Sequence, residues 1–277
     1  MVAEEVREAT DDLKLKPGKN LLRINYEGVR RDLYIELPQD VASGRRYPIV
    51  FGFHGDGGTM NAYRKRLSPF VEKFKIIGVS IQGIVSRGES GLASWNYYDS
   101  SAVNIDDIAF ITYLVEYLVK SGVGDMTRVY ATGGSSGGLL SYRLAVDTDL
   151  FAAIAPTKCG MIKGHHEPNV KTVPLSVMQC IGNEDKSFNG SSKRLTMYSA
   201  EKRVKIWRKF LKCKPDPIVD ETVKGMTIKR YTNKNGEEVV YCMLHGVGHN
   251  IPNSVRPIMD QLIINFFMKH KKAEKSE

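Results

Sequence analysis

Residues 31–38, RDLYIELP, alternate apolar and polar side chains as a half-buried strand does, and the run ends at a proline. Two later runs, YPIVFGFHG (47–55) and FKIIGVSIQG (74–83), are almost continuously apolar, the pattern of strands covered on both faces. The period then changes. In NIDDIAFITYLVEYLVKSG (104–122), Ile108, Ile111, Leu114, Val115 and Leu118 recur at helical spacing, and Gly122 stands near the end. RVYATGGSSGGLLSYRLA (128–145) reads as a short strand, a turn of four glycines and two serines, and an apolar-rich helix. FAAIAPTKCG (151–160) and VPLSVMQCIGNED (173–185) are β-rich runs that stop in polar turns. EKRVKIWRKFLKCK (201–214) returns to the helical period with Val204, Trp207, Phe210 and Leu211. EEVVYCMLHGVGHN (237–250) is a last strand feeding a loop, and residues 255–270 close the series as a helix.

Strands alternating with helices predict an α/β chain built on a mostly parallel central sheet with helices on both faces. In such folds the working groups sit in loops beyond the carboxyl ends of the strands. There is no internal repeat and no low-complexity linker. The simplest division is a polar segment over 1–20, one domain over 21–268 and a frayed Lys-rich tail over 269–277. A chain of 277 residues, 42% hydrophobic, can bury one large core.

The formal net charge is +9. Much of the positive charge falls on the helix at 201–214, where Lys202, Arg203, Lys205, Arg208, Lys209 and Lys212 lie mostly opposite the apolar stripe. A core-packed helix with a solvated basic face accounts for this without a nucleic-acid partner. No run reaches the ~18 consecutive apolar residues of a membrane span. The acidic, polar N-terminus lacks the apolar stretch of a signal peptide, so the sequence as it stands reads as cytoplasmic, or as secreted if a leader has been removed. Cys159, Cys180, Cys213 and Cys242 lack metal-ligand spacing and read as buried thiols, with a Cys213–Cys242 bridge open to an oxidising compartment.

Chemistry concentrates at three strand ends. Gly133-Gly134-Ser135-Ser136-Gly137 satisfies G-x-S-x-G, in which a strained turn lifts a serine hydroxyl clear of the sheet and small flanking residues let strand and helix approach. A phosphate-binding loop would need a lysine after the glycines, and a dinucleotide fingerprint needs a different glycine spacing. A serine nucleophile requires a base, and the base an orienting acid. Asp185 follows an apolar strand in a polar turn, and His249 lies in a glycine-flanked loop after the last strand. The order Ser, Asp, His along the chain is that of the α/β-hydrolase fold. His245 competes as base and Glu184 as acid, the first reading as a strand-end packing residue and the second as a solvated neighbour. His165, His166 and His270 read as surface groups. FHGDGGT (53–59) supplies glycines where backbone N–H groups would hold an oxyanion, one donor from the Asp56 or Gly57 amide and the other from Ser136. His54 is expected to brace that loop.

The blocks RRDLYIELP, FHGDGGT, SWNYYD, NIDDIAFI, RVYATGGSSGGLLSYRLA, FAAIAP, IGNED and HGVGHNIP occur in an order that resembles one group of α/β-hydrolases. That group holds the feruloyl and acetylxylan esterases and the polyhydroxybutyrate depolymerase-like esterases, and the resemblance covers about residues 21–268. It implies Ser135 as nucleophile, Asp185 as acid and His249 as base, with Trp95 near a substrate cleft shared with His54 and Ile251. It implies no metal or organic cofactor. Three departures stand out: Asp56 replaces a cysteine common in the oxyanion loop, Ile251 a tryptophan, and Cys180 or Ile181 a histidine before the acid loop. The family's members are commonly secreted with disulfides, and this chain has no matching cysteine pattern. The expected activity is a serine carboxylesterase, first on feruloyl or acetyl esters of plant polysaccharide and second on short hydroxyalkanoate or other polyesters. A peptidase using the same three residues and a non-catalytic binding module are the rivals. The expected partner is a small or polysaccharide-linked ester; neither nucleic acid nor membrane is expected, and the sequence leaves the oligomeric state open.

Overall fold

The computed structural model describes residues 6–9, 12–41, 44–87, 92–98, 104–190 and 195–273. Three strands lead: β1 (Val6–Glu8), β2 (Gly18–Tyr26) and β3 (Val29–Leu37). The chain continues through β4 (Tyr47–Phe53), α1 (Met60–Phe74) and β5 (Ile77–Ile81), then a small hairpin of β6 (Val85–Arg87) and β7 (Leu92–Ser94). After α2 (Asp107–Lys120) come β8 (Gly124–Gly134), α3 (Ser136–Asp147), β9 (Ala153–Thr157) and the short β10 (Met161–Ile162). The last third holds β11 (Ser176–Gly182), β12 (Met197–Tyr198), α4 (Ala200–Phe210), β13 (Ile218–Asp220), β14 (Met226–Thr232), β15 (Glu238–Leu244) and α5 (Arg256–Phe267).

Eleven of the strands form one sheet in the order β1-β2-β3-β5-β4-β8-β9-β11-β15-β14-β13. From β5 to β15 every neighbouring pair is parallel, while β3 and β14 join this middle block antiparallel. The residue patterns account for the difference. All residues of β4, β5, β9 and β11 are buried, as strands covered on both faces must be, whereas β3 alternates buried and half-buried positions. On β4, Ile49, Phe51 and Phe53 pack with α2, α3 and α4, and Val50 faces the core made with α1 and α5. The sheet thus carries helices on both faces, the arrangement of the α/β-hydrolase fold.

Some expectations change. β2 begins at Gly18, and Leu13 is fully buried with its amide on the Tyr117 hydroxyl of α2 at 2.8 Å, so residues 13–20 are held against α2 and the sheet. The helix α1, with Pro69 inside it, has no counterpart in the sequence reading. It buries only Tyr63, Leu67, Phe70 and Val71, a sparse stripe, and it takes Phe74 from the run read as a strand. Arg203 is not solvated: its guanidinium lies buried, donating to Gln179 Oε1 at 2.8 Å and to the carbonyls of Ser187 and Tyr198. Of the helical stripe, Val204, Trp207 and Leu211 are buried and Phe210 is half-buried. His166 and His270 are not surface groups. His166 is fully buried, and His270 bonds Glu238 and Ser176. The tail is docked as far as Lys272, whose amide meets the Thr127 carbonyl at 2.8 Å; residues 274–277 lie outside the described residues. All four cysteines are free, and Cys242 stands opposite Cys180 on the adjacent parallel strand rather than beside Cys213.

Candidate active site

Ser135 occupies the one-residue turn between β8 and α3 with φ 57° and ψ −121°, a backbone conformation that costs a non-glycine residue on the order of 1–3 kcal/mol. Neighbouring contacts impose it. The Ser135 amide donates to the Thr157 carbonyl at 3.1 Å, and the Ser135 carbonyl accepts from Gly138 and Leu139 at 2.9 and 3.0 Å. A β-carbon at Gly133 would overlap the Gly137 backbone, so the strand and helix can meet here only because Gly133 lacks one.

Three loops converge on this turn. The loop after β15 carries His249, whose Nε2 lies 3.2 Å from Ser135 Oγ. The loop after β11 carries Asp185, whose Oδ2 lies 2.8 Å from His249 Nδ1. The two loops are stitched together: the Glu184 amide donates to the Val247 carbonyl at 3.0 Å and the Gly246 amide to Asn183 Oδ1 at 2.8 Å. Asp185 is buried, and its second oxygen accepts from the Ser187 amide and hydroxyl at 2.8 and 2.7 Å. Burial alone would raise its carboxyl; the hydrogen bonds from His249 and Ser187 outweigh that and hold it below the usual carboxylate range. The His249 side chain is 47% exposed, so one edge of the imidazole faces solvent above Ser135. Neither competitor reaches the turn: His245 bonds Thr227 Oγ1 at 2.9 Å, and Glu184 is exposed.

The loop after β4 closes the other side, its Gly55 packed against the Gly134 carbonyl and Ser135 Cβ. The expected donors divide. The Gly57 amide is already bonded to the Ala93 carbonyl at 2.9 Å and is removed from the set, because the β6–β7 hairpin adds this loop to its edge. The amides of Asp56 and Ser136 have no acceptor among the described residues, and Ser136 opens α3, where unpaired N–H groups and the positive end of the helix dipole point outward. The Asp56 carboxylate accepts from Ser94 Oγ at 2.5 Å.

His54, Trp95 and Ile251, expected along a cleft, are all buried. His54 Nδ1 donates to the Gly55 carbonyl at 2.7 Å, and its Nε2 accepts from the Gly83 amide at 2.9 Å. Burial pushes its pKa down, against the pull of the Gly55 carbonyl and Asp56, so a neutral ring braces the loop. Trp95 donates to the His54 carbonyl at 2.8 Å and packs edge-on to Phe53. Ile251 belongs to the α1–α5 core. Asp99, the last residue of SWNYYD, lies outside the described residues. The sequence reading missed Ser187, whose place two residues after Asp185 is the spacing of a local aspartate turn, and Gln82, whose Nε2 lies 3.0 Å from His54 Nε2 and whose Oε1 accepts from the Met60 amide at 3.0 Å, and which nothing in the sequence marked.

A family model described as the prolyl oligopeptidase family matches residues 76–168. Feruloyl esterase B of Piromyces equi is 24% identical over 236 residues, 79% of this chain and 42% of that protein, so the chain spans less than half the length of this relative. Among solved structures, the acetyl xylan esterase from Aspergillus awamori superposes with a TM-score of 0.66 at 16% identity, covering 90% of this chain and 99% of that one. LpqC, a poly(3-hydroxybutyrate) depolymerase from Bordetella parapertussis, gives 0.60 at 15% identity over 93% and 92%. The chain has the α/β-hydrolase fold, and within that fold it is similar to the feruloyl and acetylxylan esterases and the polyhydroxybutyrate depolymerase-like proteins.

Proposed function

We propose that this protein is a serine carboxylesterase working through an acyl-enzyme. The observation that carries the reading is the unbroken line Ser135 Oγ, His249 Nε2, His249 Nδ1, Asp185 Oδ2, with distances of 3.2 and 2.8 Å. His249 takes the Ser135 proton as the oxygen attacks the ester carbonyl. Asp185, kept ionised, fixes the tautomer that leaves Nε2 free to accept and stabilises the imidazolium that forms. The carbonyl oxygen, now negative, is met by the Asp56 and Ser136 amides, each worth roughly 3–4 kcal/mol where such donors have been removed from other enzymes. His249 returns the proton to the departing alcohol and then activates water to release the acid.

Feruloyl or acetyl esters on plant polysaccharide are the first substrate class, supported by the similarity to feruloyl esterase B and to the acetyl xylan esterase. Short hydroxyalkanoate esters come second, supported by the similarity to LpqC. Peptide amides are a separate reading, favoured by the match to the prolyl oligopeptidase family. The test sets p-nitrophenyl acetate and methyl ferulate against a peptide p-nitroanilide, using wild type and Ser135→Ala. Ester turnover that vanishes in Ser135→Ala, with fluorophosphonate labelling of Ser135, is expected. Turnover of the anilide alone would favour the peptidase, and an unlabelled Ser135 would sink both readings.

A further inference from the structure

Lys158 follows β9 directly, one residue beyond the carbonyl that accepts from the Ser135 amide. Its amide donates to the Cys180 carbonyl at 2.9 Å, and its backbone is left-handed, with φ 43°. The chain at this point sends two consecutive side chains to opposite faces. Cys159 goes toward α3, where a β-carbon on Gly138 would stand 2.5 Å from its sulfur. Lys158 crosses Gly134: a β-carbon there would stand 2.8 Å from Lys158 Cε. The lysine stem therefore lies on the residue that precedes Ser135.

The charge at the end of this stem is unpaired among the described residues. Lys158 is half-buried, yet among the described residues its ammonium has neither a hydrogen-bond partner nor a carboxylate at ion-pair distance. Burial disfavours its charge most, Arg66 of α1 and Arg256 of α5 oppose it too, and the Asp185 carboxylate favours it. Asp260, the acid nearest Arg66, is bonded to it at 2.6 Å, and both Asp185 oxygens are occupied by His249 and Ser187. A half-buried cation with no ion-pair partner costs folding free energy, the kind of cost that persists where a site uses the charge. A carboxylate carried by the substrate would give this ammonium the direct partner it lacks.

We propose that Lys158 is an anion-binding residue of the candidate active site, selecting esters that carry a carboxylate close to the reacting carbonyl. Such substrates are acylated hydroxy acids, with the carboxylate in the alcohol half, or half-esters of dicarboxylic acids, with it in the acyl half. The proposal rests on the esterase reading and narrows it.

The experiment uses two matched pairs differing only in charge: 3-acetoxybutanoate with 3-acetoxybutanamide, and monomethyl glutarate with methyl glutaramate. Wild type should favour the carboxylate in kcat/KM by about tenfold in at least one pair, the factor that 1.4 kcal/mol of charge-assisted binding gives. Raising the salt should erode the preference. Lys158→Met, which keeps the stem over Gly134, should bring the ratio close to one, and Lys158→Arg should restore it. Each ratio is taken within one protein, so a variant of reduced activity still reports. No preference in either pair, or one that survives in Lys158→Met, overturns the proposal. If wild type still hydrolyses p-nitrophenyl acetate, only the role of Lys158 falls. If it hydrolyses no ester and Ser135 takes up no fluorophosphonate, the esterase reading falls too.

Discussion

Gly137, in the first turn of α3, rests on the end of β4: a β-carbon there would overlap the Phe53 carbonyl oxygen and stand 2.6 Å from that of His54. Because both obstacles are backbone, they cannot turn aside as a side chain would. Gly137→Ala should therefore destabilise the fold by about 1–3 kcal/mol, toward the upper end of what overpacking costs. It should also lower kcat by shifting the helix start away from the loop after β4. Urea unfolding and ester kinetics on the same preparation measure both, and an alanine variant equal to wild type in each would contradict the contact.

The two histidines of the last loop should separate cleanly. His249→Ala removes the group 3.2 Å from Ser135 Oγ and should cut kcat on the order of a thousandfold or more. His245→Ala loses one bond to Thr227 and should stay within about threefold. Similar losses in the two variants would reassign the base.

Ser136 tests the division of labour between the paired serines. Among the described residues its hydroxyl is buried without a hydrogen-bond partner, which leaves its amide as the group offered to the site. Ser136→Ala should leave kcat within about twofold and be neutral or stabilising by up to about 1 kcal/mol, since it deletes an unsatisfied polar group. A large loss of activity would mean that the hydroxyl itself takes part.

His166 should make stability depend on pH. Its Nδ1 accepts from the Ile162 amide at 3.3 Å and its Nε2 faces the Tyr97 carbonyl at 2.6 Å, a pattern only the neutral ring satisfies. Burial lowers its pKa from 6.5 to about 4. Between these values the unfolded chain binds a proton that the folded chain does not. Stability is therefore fully present above pH 6.5 and is lost as pH falls toward 4, by up to about 1.4 kcal/mol per pH unit. Urea midpoints across that window should fall more steeply for wild type than for His166→Gln; parallel slopes would remove His166 from the account.

The legibility of the sequence varied with the kind of physics involved. Strands buried on both faces announce themselves as apolar runs, so β4, β9, β11 and β15 could be read directly, as could the turn at Ser135, where glycine spacing encodes a close approach. Helix α1 could not, because Pro69 and a four-residue buried stripe blur its period. Arg203, His166 and His270 were read by residue type as solvent-facing. Their burial depends on partners far away in the chain, such as Gln179, Tyr97 and Glu238, and no local pattern reports those. The same holds for Gly57: its amide belongs to Ala93, on a hairpin whose pairing only the fold reveals.

The parallel middle of the sheet also bears on how the molecule comes together. Ser135 and His249 are 114 residues apart, and Asp185 and His249 64, so no part of the line between them can form within a local segment. Each contact waits for crossovers to close and for β11 to find β15, pairings that carry a high loop-closure cost and fold slowly. Ester turnover should consequently return last in a refolding experiment, after helix content has recovered. The hydrolytic rate then serves as a clock for the closing step of sheet assembly.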